Sequence, residues 1–168
     1  MANTTFSGPV RSENGFKAVT KNATTGAITE ITTYGGAPVA LADGDVTLTN
    51  ATHSGRVLIV PNGTQDNTYT LPSPVAGAYF TFVYGGGAAD ATDFIVDSGS
   101  DTNFFIGGVQ HLDTNADNVA VYADGNSNSK LTLTDFGIME INIMAKDSTN
   151  WYIWGNVVSA TAPAFADQ

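Results

Sequence analysis

Short runs of β-branched and aromatic residues recur along the chain, each closed by a cluster of Gly, Asn, Asp, Ser or Pro. That spacing predicts the strands and turns of a sandwich or barrel. No stretch sustains apolar residues at i, i+3, i+4 and i+7, so helices are not expected. Thr, Val, Gly, Asn and Asp dominate over the good helix formers, which points the same way. Two weaker strands are expected at Gly15–Lys21 and Ala27–Tyr34, before a break at Gly35-Gly-Ala-Pro38. After it come Val39–Ala42, Val46–Thr49, Arg56–Val60, Thr68–Leu71, Tyr79–Tyr84 and Phe94–Asp97. Phe104–Val109, Val119–Ala123, Leu131–Thr134, Ile138–Ala145 and Trp151–Val157 complete the set. About ten short strands after the break imply two packed antiparallel sheets, because one sheet of that size would expose too much apolar surface. No internal repeat is visible.

Alternation assigns the faces. Phe80, Phe82 and Tyr84 share one face of their strand; Met139, Ile141 and Ile143 share the inward face of theirs, with Ile138, Glu140 and Asn142 outward. Trp151 and Ile153 lie opposite Tyr152 and Trp154, and aromatics on both faces are unusual for a solvated sheet. Tyr152 and Trp154 are therefore candidates for a subunit interface, unless a segment of the same chain covers them.

The chain has 168 residues, enough for one self-sufficient core and a short extension. Residues 1–38 are expected to form an N-terminal arm and 39–168 the sandwich. With no cysteine, neither a disulfide framework nor a thiolate metal site is available. Met1 to Phe6 has no basic or apolar leader pattern, so no secretory signal is expected. No apolar run approaches membrane-spanning length, and no membrane partner is expected. Net charge is -10, which disfavours nucleic acid. The imbalance is uneven: residues 1–30 carry +1 and the remaining 138 carry -11. The first thirty residues thus suit a different surface from the rest.

Catalytic chemistry is sparsely represented. The two histidines, His53 and His111, are the available bases, and nothing resembles a nucleophile elbow. Glu occurs at 13, 30 and 140, and most Asp residues lie in turn clusters, where their side chains cap backbone N–H groups. Gly85-Gly-Gly87 lacks the Lys and the helix of a phosphate loop and reads as a turn. Asp113, Asn115, Asp117 and Asp124 match the oxygen spacing of a calcium loop, but the Gly, the Glu and the flanking helices are missing. A solvated turn is the better reading. No enzyme activity, cofactor or metal is expected.

Met1-Ala-Asn-Thr-Thr-Phe6-Ser-Gly-Pro-Val10-Arg-Ser-Glu-Asn-Gly-Phe16 is similar to the N-termini of small structural proteins of marine tailed phages. His53-Ser-Gly-Arg-Val-Leu-Ile-Val60, Tyr69-Thr-Leu-Pro72, Ala76-Gly-Ala-Tyr-Phe-Thr-Phe-Val83 and Asn150-Trp-Tyr-Ile-Trp-Gly155 have the cadence of phage head-decoration modules. The resemblance implies a jelly-roll-like β-sandwich, a homotrimer, and a cement role on the outer capsid surface, bound to the major capsid protein of a virion assembled in the host cytoplasm. In that setting the arm, through Phe6, Pro9, Val10, Arg11, Phe16, Lys17 and Lys21, would contact the capsid by adding strands to exposed edges. A receptor- or glycan-binding module of a tail fibre or spike is the alternative, with Tyr34, Tyr122 and Trp154 available to stack on sugars. A small carbohydrate-active enzyme is a third reading.

Overall fold

The computed structural model describes residues 8, 12, 15–34 and 36–168. Strands β1 (Phe16–Lys21) and β2 (Ile28–Tyr34) pair antiparallel in a ribbon of their own. Its tight turn is held by Asn22, whose side-chain oxygen accepts the N–H groups of Thr24 and Thr25. Register shifts by one residue on β2, leaving Ile31 without a partner in the ladder. The bulge turns that strand so that Ile31 packs on the main core and Thr32 is buried.

From there the chain winds. β3 (Val39–Ala40) joins one sheet and β4 (Val46–Thr47) the other; after a single helical turn, α1 (Asn50–His53), β5 (Val57–Val60) returns to the first. β6 (Asn67–Thr70), β7 (Tyr79–Tyr84) and β8 (Phe94–Asp97) continue the alternation. Parallel neighbours need a long crossover, and here each crossover is a strand of the opposite sheet. Hence β3, β5 and β7 are parallel to one another, as are β4, β6 and β8. The second half is mainly antiparallel: β9 (Phe104–Asp113), β10 (Val119–Asp124), β11 (Lys130–Leu133), β12 (Phe136–Ala145), β13 (Asn150–Ser159) and β14 (Ala164–Ala166). One parallel pair remains there, β9 with β13. The sheets have seven strands (β10-β9-β13-β12-β7-β5-β3) and five (β14-β11-β8-β6-β4).

The expected all-β sandwich is therefore present, and its two sheets are mixed rather than antiparallel throughout. The departure from uniformly antiparallel pairing lies mainly in the coiled first half, with the β9–β13 pair as its counterpart in the second. Its coils are unequal: Val39 pairs with Leu58, 19 residues on, and Leu58 with Phe82, 24 residues on. That inequality hides the repeat from a search at fixed period.

Between the sheets Phe80, Phe82, Tyr84, Met139, Ile141, Ile143, Trp151 and Ile153 meet Tyr69, Leu71, Phe94, Val96, Leu131 and Leu133. Phe94 stands edge-on to Phe82 with centroids 5.4 Å apart, and 5.3 Å from Tyr69. Such pairs each add about 0.5–1.5 kcal/mol beyond area burial. Strand β14 and the turn α1 had no counterpart among the expected elements. β14 lays Phe165 against Phe105, with centroids 6.4 Å apart.

Much of the acidic surplus is structural. Asp45 accepts the Thr68 N–H at 2.9 Å, Asp66 that of Asp93 at 2.9 Å, and buried Asp90 that of Gly63 at 2.7 Å. Asp43 accepts both the N–H and, at 2.8 Å, the hydroxyl of Thr64. Each bond ties one coil to the next. The Thr64 hydroxyl holds the Asp43 carboxyl below its usual value of 3.8. A carboxylate with a depressed folded-state pKa lends stability that is complete above the unfolded value and is lost as pH falls through the folded one. We therefore expect the melting temperature to hold between pH 7 and 5 and to fall below about pH 4. Asp43→Asn should lower the plateau and flatten the acid slope; thermal melts across that range check both.

Candidate functional site

Two exposed surfaces stand out, and they lie on different parts of the fold. The first is the β1–β2 ribbon. Phe16 sits directly across from Tyr34, and these two together with Val19 and Ile28 are each about half exposed or more. Lys17, expected to face a partner, donates to Glu30 at 2.8 Å inside the ribbon. Phe16 and Lys21 lie on the same strand, both exposed. Phe6, Pro9, Val10 and Arg11 lie outside the described residues.

The ribbon is fastened to the sandwich through α1 and its flank. Arg56 donates from Nε to the Ala37 carbonyl at 2.7 Å, and from a terminal nitrogen to the Thr52 carbonyl at 3.1 Å. His53 accepts the Thr49 N–H on Nδ1 at 2.9 Å, which requires the neutral ring. Partial burial lowers its pKa, and the neighbouring Arg56 guanidinium acts in the same direction. His53 is thus part of a structural clasp.

The second surface is the outer face of the seven-stranded sheet. Register places Tyr122, Gly108, Trp154, Asn142 and Thr81 in one row across β10, β9, β13, β12 and β7. The adjacent row is Ala120, Gln110, Asn156, Glu140 and Val83. The two rows enclose a shallow depression of about 340 Å³ lined by Gly108, Gln110, Glu140, Asn142, Trp154 and Asn156, with Gly155. Gly108 forms its floor: a Cβ there would stand 3.0 Å from the ring of Tyr122 and 2.3 Å from the Val121 carbonyl oxygen. The polar groups are held in place. Asn142 donates to Glu140 at 3.0 Å and accepts from the Thr81 hydroxyl at 2.9 Å.

Tyr152 and Trp154, the expected interface pair, both lie on this face and are 37% and 47% exposed, so no described segment of the chain buries them. They are separated from Ile138, also exposed, by Glu140 and the amide side chains. A carboxylate at the centre of the patch makes it more polar than the core of a typical subunit interface. Of the three aromatics considered for sugar stacking, Tyr122 and Trp154 are brought together about Gly108, whereas Tyr34 is on the ribbon.

The remaining candidates do not converge. His111 is buried, with Nε2 3.1 Å from the Ser159 carbonyl. Asp113 accepts the N–H groups of Asn115 and Ala116, and so closes the β9–β10 loop beside Asp117. Asp124 pairs with Ile106 at the far end of β10, seven residues down the ladder and so about 23 Å away at ~3.3 Å per residue. It caps its own turn, accepting from Asn126, Ser127 and Asn128, and the Ser127 hydroxyl above all keeps its carboxyl well below the ordinary range. The calcium spacing in the sequence is therefore two separate turns. Among the described residues no three His, Asp or Glu side chains are grouped to hold a metal ion. No described helix is long and apolar enough to cross a membrane.

Gln110 and Asn156 were not singled out by sequence, and Glu140 and Asn142 were marked only as outward-facing. The usable signal was their shared strand parity with Trp154 or Gly108; what was missing was the order and register of the strands. Compared with known proteins, the chain matches no family model and is similar to no curated protein.

Proposed function

We propose that the chain is a structural virion protein that decorates the outer surface of a tailed-phage capsid and cements neighbouring capsomers, with the major capsid protein as its partner. The observation that carries this reading is the β1–β2 ribbon, a separate hairpin that exposes Phe16, Val19, Ile28 and Tyr34 beside the sandwich. Among the described residues each of its strands has one neighbour, so each leaves a row of backbone donors and acceptors available to another edge. The N-terminal resemblance, Met1 to Phe16, ends where β1 of the ribbon begins. In a homotrimer three ribbons would engage together, turning modest contacts into high avidity.

The ribbon should be tested without removing it, since Ile31 and Thr32 help cover the core. The double substitution Phe16→Asp, Ile28→Asp leaves those contacts in place. Added to undecorated heads, it should bind at least about tenfold more weakly than the unaltered protein, the loss expected from spoiling two interface anchors. Equal occupancy of the capsid by both proteins would sink the ribbon mechanism.

A receptor- or glycan-binding module of a fibre or spike is the second reading, and the pairing of Tyr122 with Trp154 about Gly108 favours it. Copy number per particle separates the two: high for a decoration protein, low for a fibre.

A further inference from the structure

We infer that the depression beside Trp154 on the outer face of the seven-stranded sheet is a binding site for a neutral saccharide. The inference stands on the sheet face alone and holds whether the chain rides on a head or on a fibre.

The lining selects the ligand by what it offers and what it lacks. Along one row lie Gly108 and Trp154, with Tyr122 flanking the depression beyond Gly108, so that two exposed aromatics are separated by a residue with no side chain. Along the next lie Gln110, Asn156 and Glu140, two amides and a carboxylate. Neighbouring positions on one face of a strand are ~7 Å apart, so an apolar strip and a polar strip run side by side at the width of one small ring. A pyranose has that division: C–H groups on its faces and hydroxyls around its edge. Aromatic faces pack against the former, while amides donate to and accept from the latter and a carboxylate accepts from it. The Thr81–Asn142–Glu140 chain fixes Glu140, and Asn142 beside Trp154, before any ligand arrives, which lowers the ordering cost of binding.

Charge excludes the rival ligands. The lining contains Glu140 and no cation, and residues 31–168 carry Arg56, Lys130 and Lys146 against 14 acids. Phosphates, sulfated or acidic glycans and nucleic acids would meet an uncompensated negative field. An apolar peptide side chain would bury Glu140 and the amides without partners. A neutral, hydroxyl-rich ring satisfies both strips.

The full-length protein can be tested by affinity gel electrophoresis in laminarin, mannan, dextran, xylan and galactan, with heparin and polygalacturonate as acidic counterparts. Retardation is expected in at least one neutral polymer and in neither acidic one. Trp154→Ala and Gln110→Ala should each weaken it by roughly tenfold or more, the loss typical of removing a central anchor. Ile138→Ser, exposed on the same sheet but outside the depression, should leave it unchanged. Trp151 is fully buried and Trp154 is not, so the binding polymer should also shift the exposed part of the indole emission, and Trp154→Phe should abolish that shift. Migration unaltered in all five neutral polymers overturns the proposal. So does retardation by the acidic polymers, or binding that survives Trp154→Ala. If Trp154→Ala instead converts an oligomer to monomers in sugar-free buffer, the face belongs to a second copy of the chain and the proposal falls.

Discussion

Gly107→Ala is expected to destabilise the protein by roughly 2–6 kcal/mol, a large share of the ~5–15 kcal/mol that holds a domain of this size together. Gly107 has φ +115, a conformation that residues with a Cβ rarely adopt, and a Cβ built there would lie 2.2 Å from the Ile153 carbonyl oxygen. That oxygen belongs to the backbone of β13, in the parallel pairing that joins β9 to the rest of the sheet. It has no side-chain freedom with which to retreat, so the strands must part and the ladder must break locally. Gly125→Ala is the matched control. Its φ is +80, yet the nearest atom to a new Cβ is Ile106 Cγ1 at 3.8 Å, which is ordinary contact. Only the left-handed backbone term applies, about 1–2 kcal/mol. Urea denaturation of the two variants should separate them clearly; equal midpoints would mean that β9 can shift away from β13 at little cost.

Trp151→Ala should be comparably severe, at about 3–5 kcal/mol, through the cavity left in the core. Trp151 is fully buried and stands edge-on to Phe80 with centroids 5.9 Å apart. Its indole Nε1 has no hydrogen-bond partner among the described residues. An orphaned buried donor costs roughly 1–3 kcal/mol, so a replacement that removes the N–H while keeping most of the ring recovers part of the lost volume energy. Trp151→Phe is accordingly expected to cost much less than Trp151→Ala, less than about half by these magnitudes. Chemical denaturation followed by far-ultraviolet circular dichroism reads both. A phenylalanine variant as unstable as the alanine one would show that the indole shape, and not its burial, holds this part of the sheet.

The two outward surfaces divide the proposed work. The ribbon packs on the body where β2 meets the α1 turn, and it carries exposed apolar residues on a pair of strands whose outer edges have no neighbour among the described residues. The sheet face is rigid, because β9, β13 and β12 form the middle of the larger sheet and are paired on both sides. A site on paired central strands holds its side chains more accurately than one on a loop. Docking through the ribbon would leave the face of the seven-stranded sheet available for a second ligand.

What the sequence determined by itself was local. Alternation put Met139, Ile141 and Ile143 on an inward face and grouped Phe80, Phe82 and Tyr84, and Trp151 with Ile153, each on one face of a strand; all are buried. It also located nearly every strand, because side-chain period and turn residues act over a few positions. It did not find β14, whose three residues Ala164–Ala166 are too short for a pattern, nor α1, a single turn capped by Thr49. Strand partners were beyond it, since pairing joins residues far apart in sequence: β13 lies parallel to β9 although the chain makes three strands between them. Only that long-range pairing puts Gln110 beside Asn156 and Glu140, and Tyr122 beside Gly108 and Trp154. The same pairing sends Asp113 and Asp124 to opposite ends of a hairpin. Faces are set by neighbours in sequence, whereas sites are set by neighbours in space.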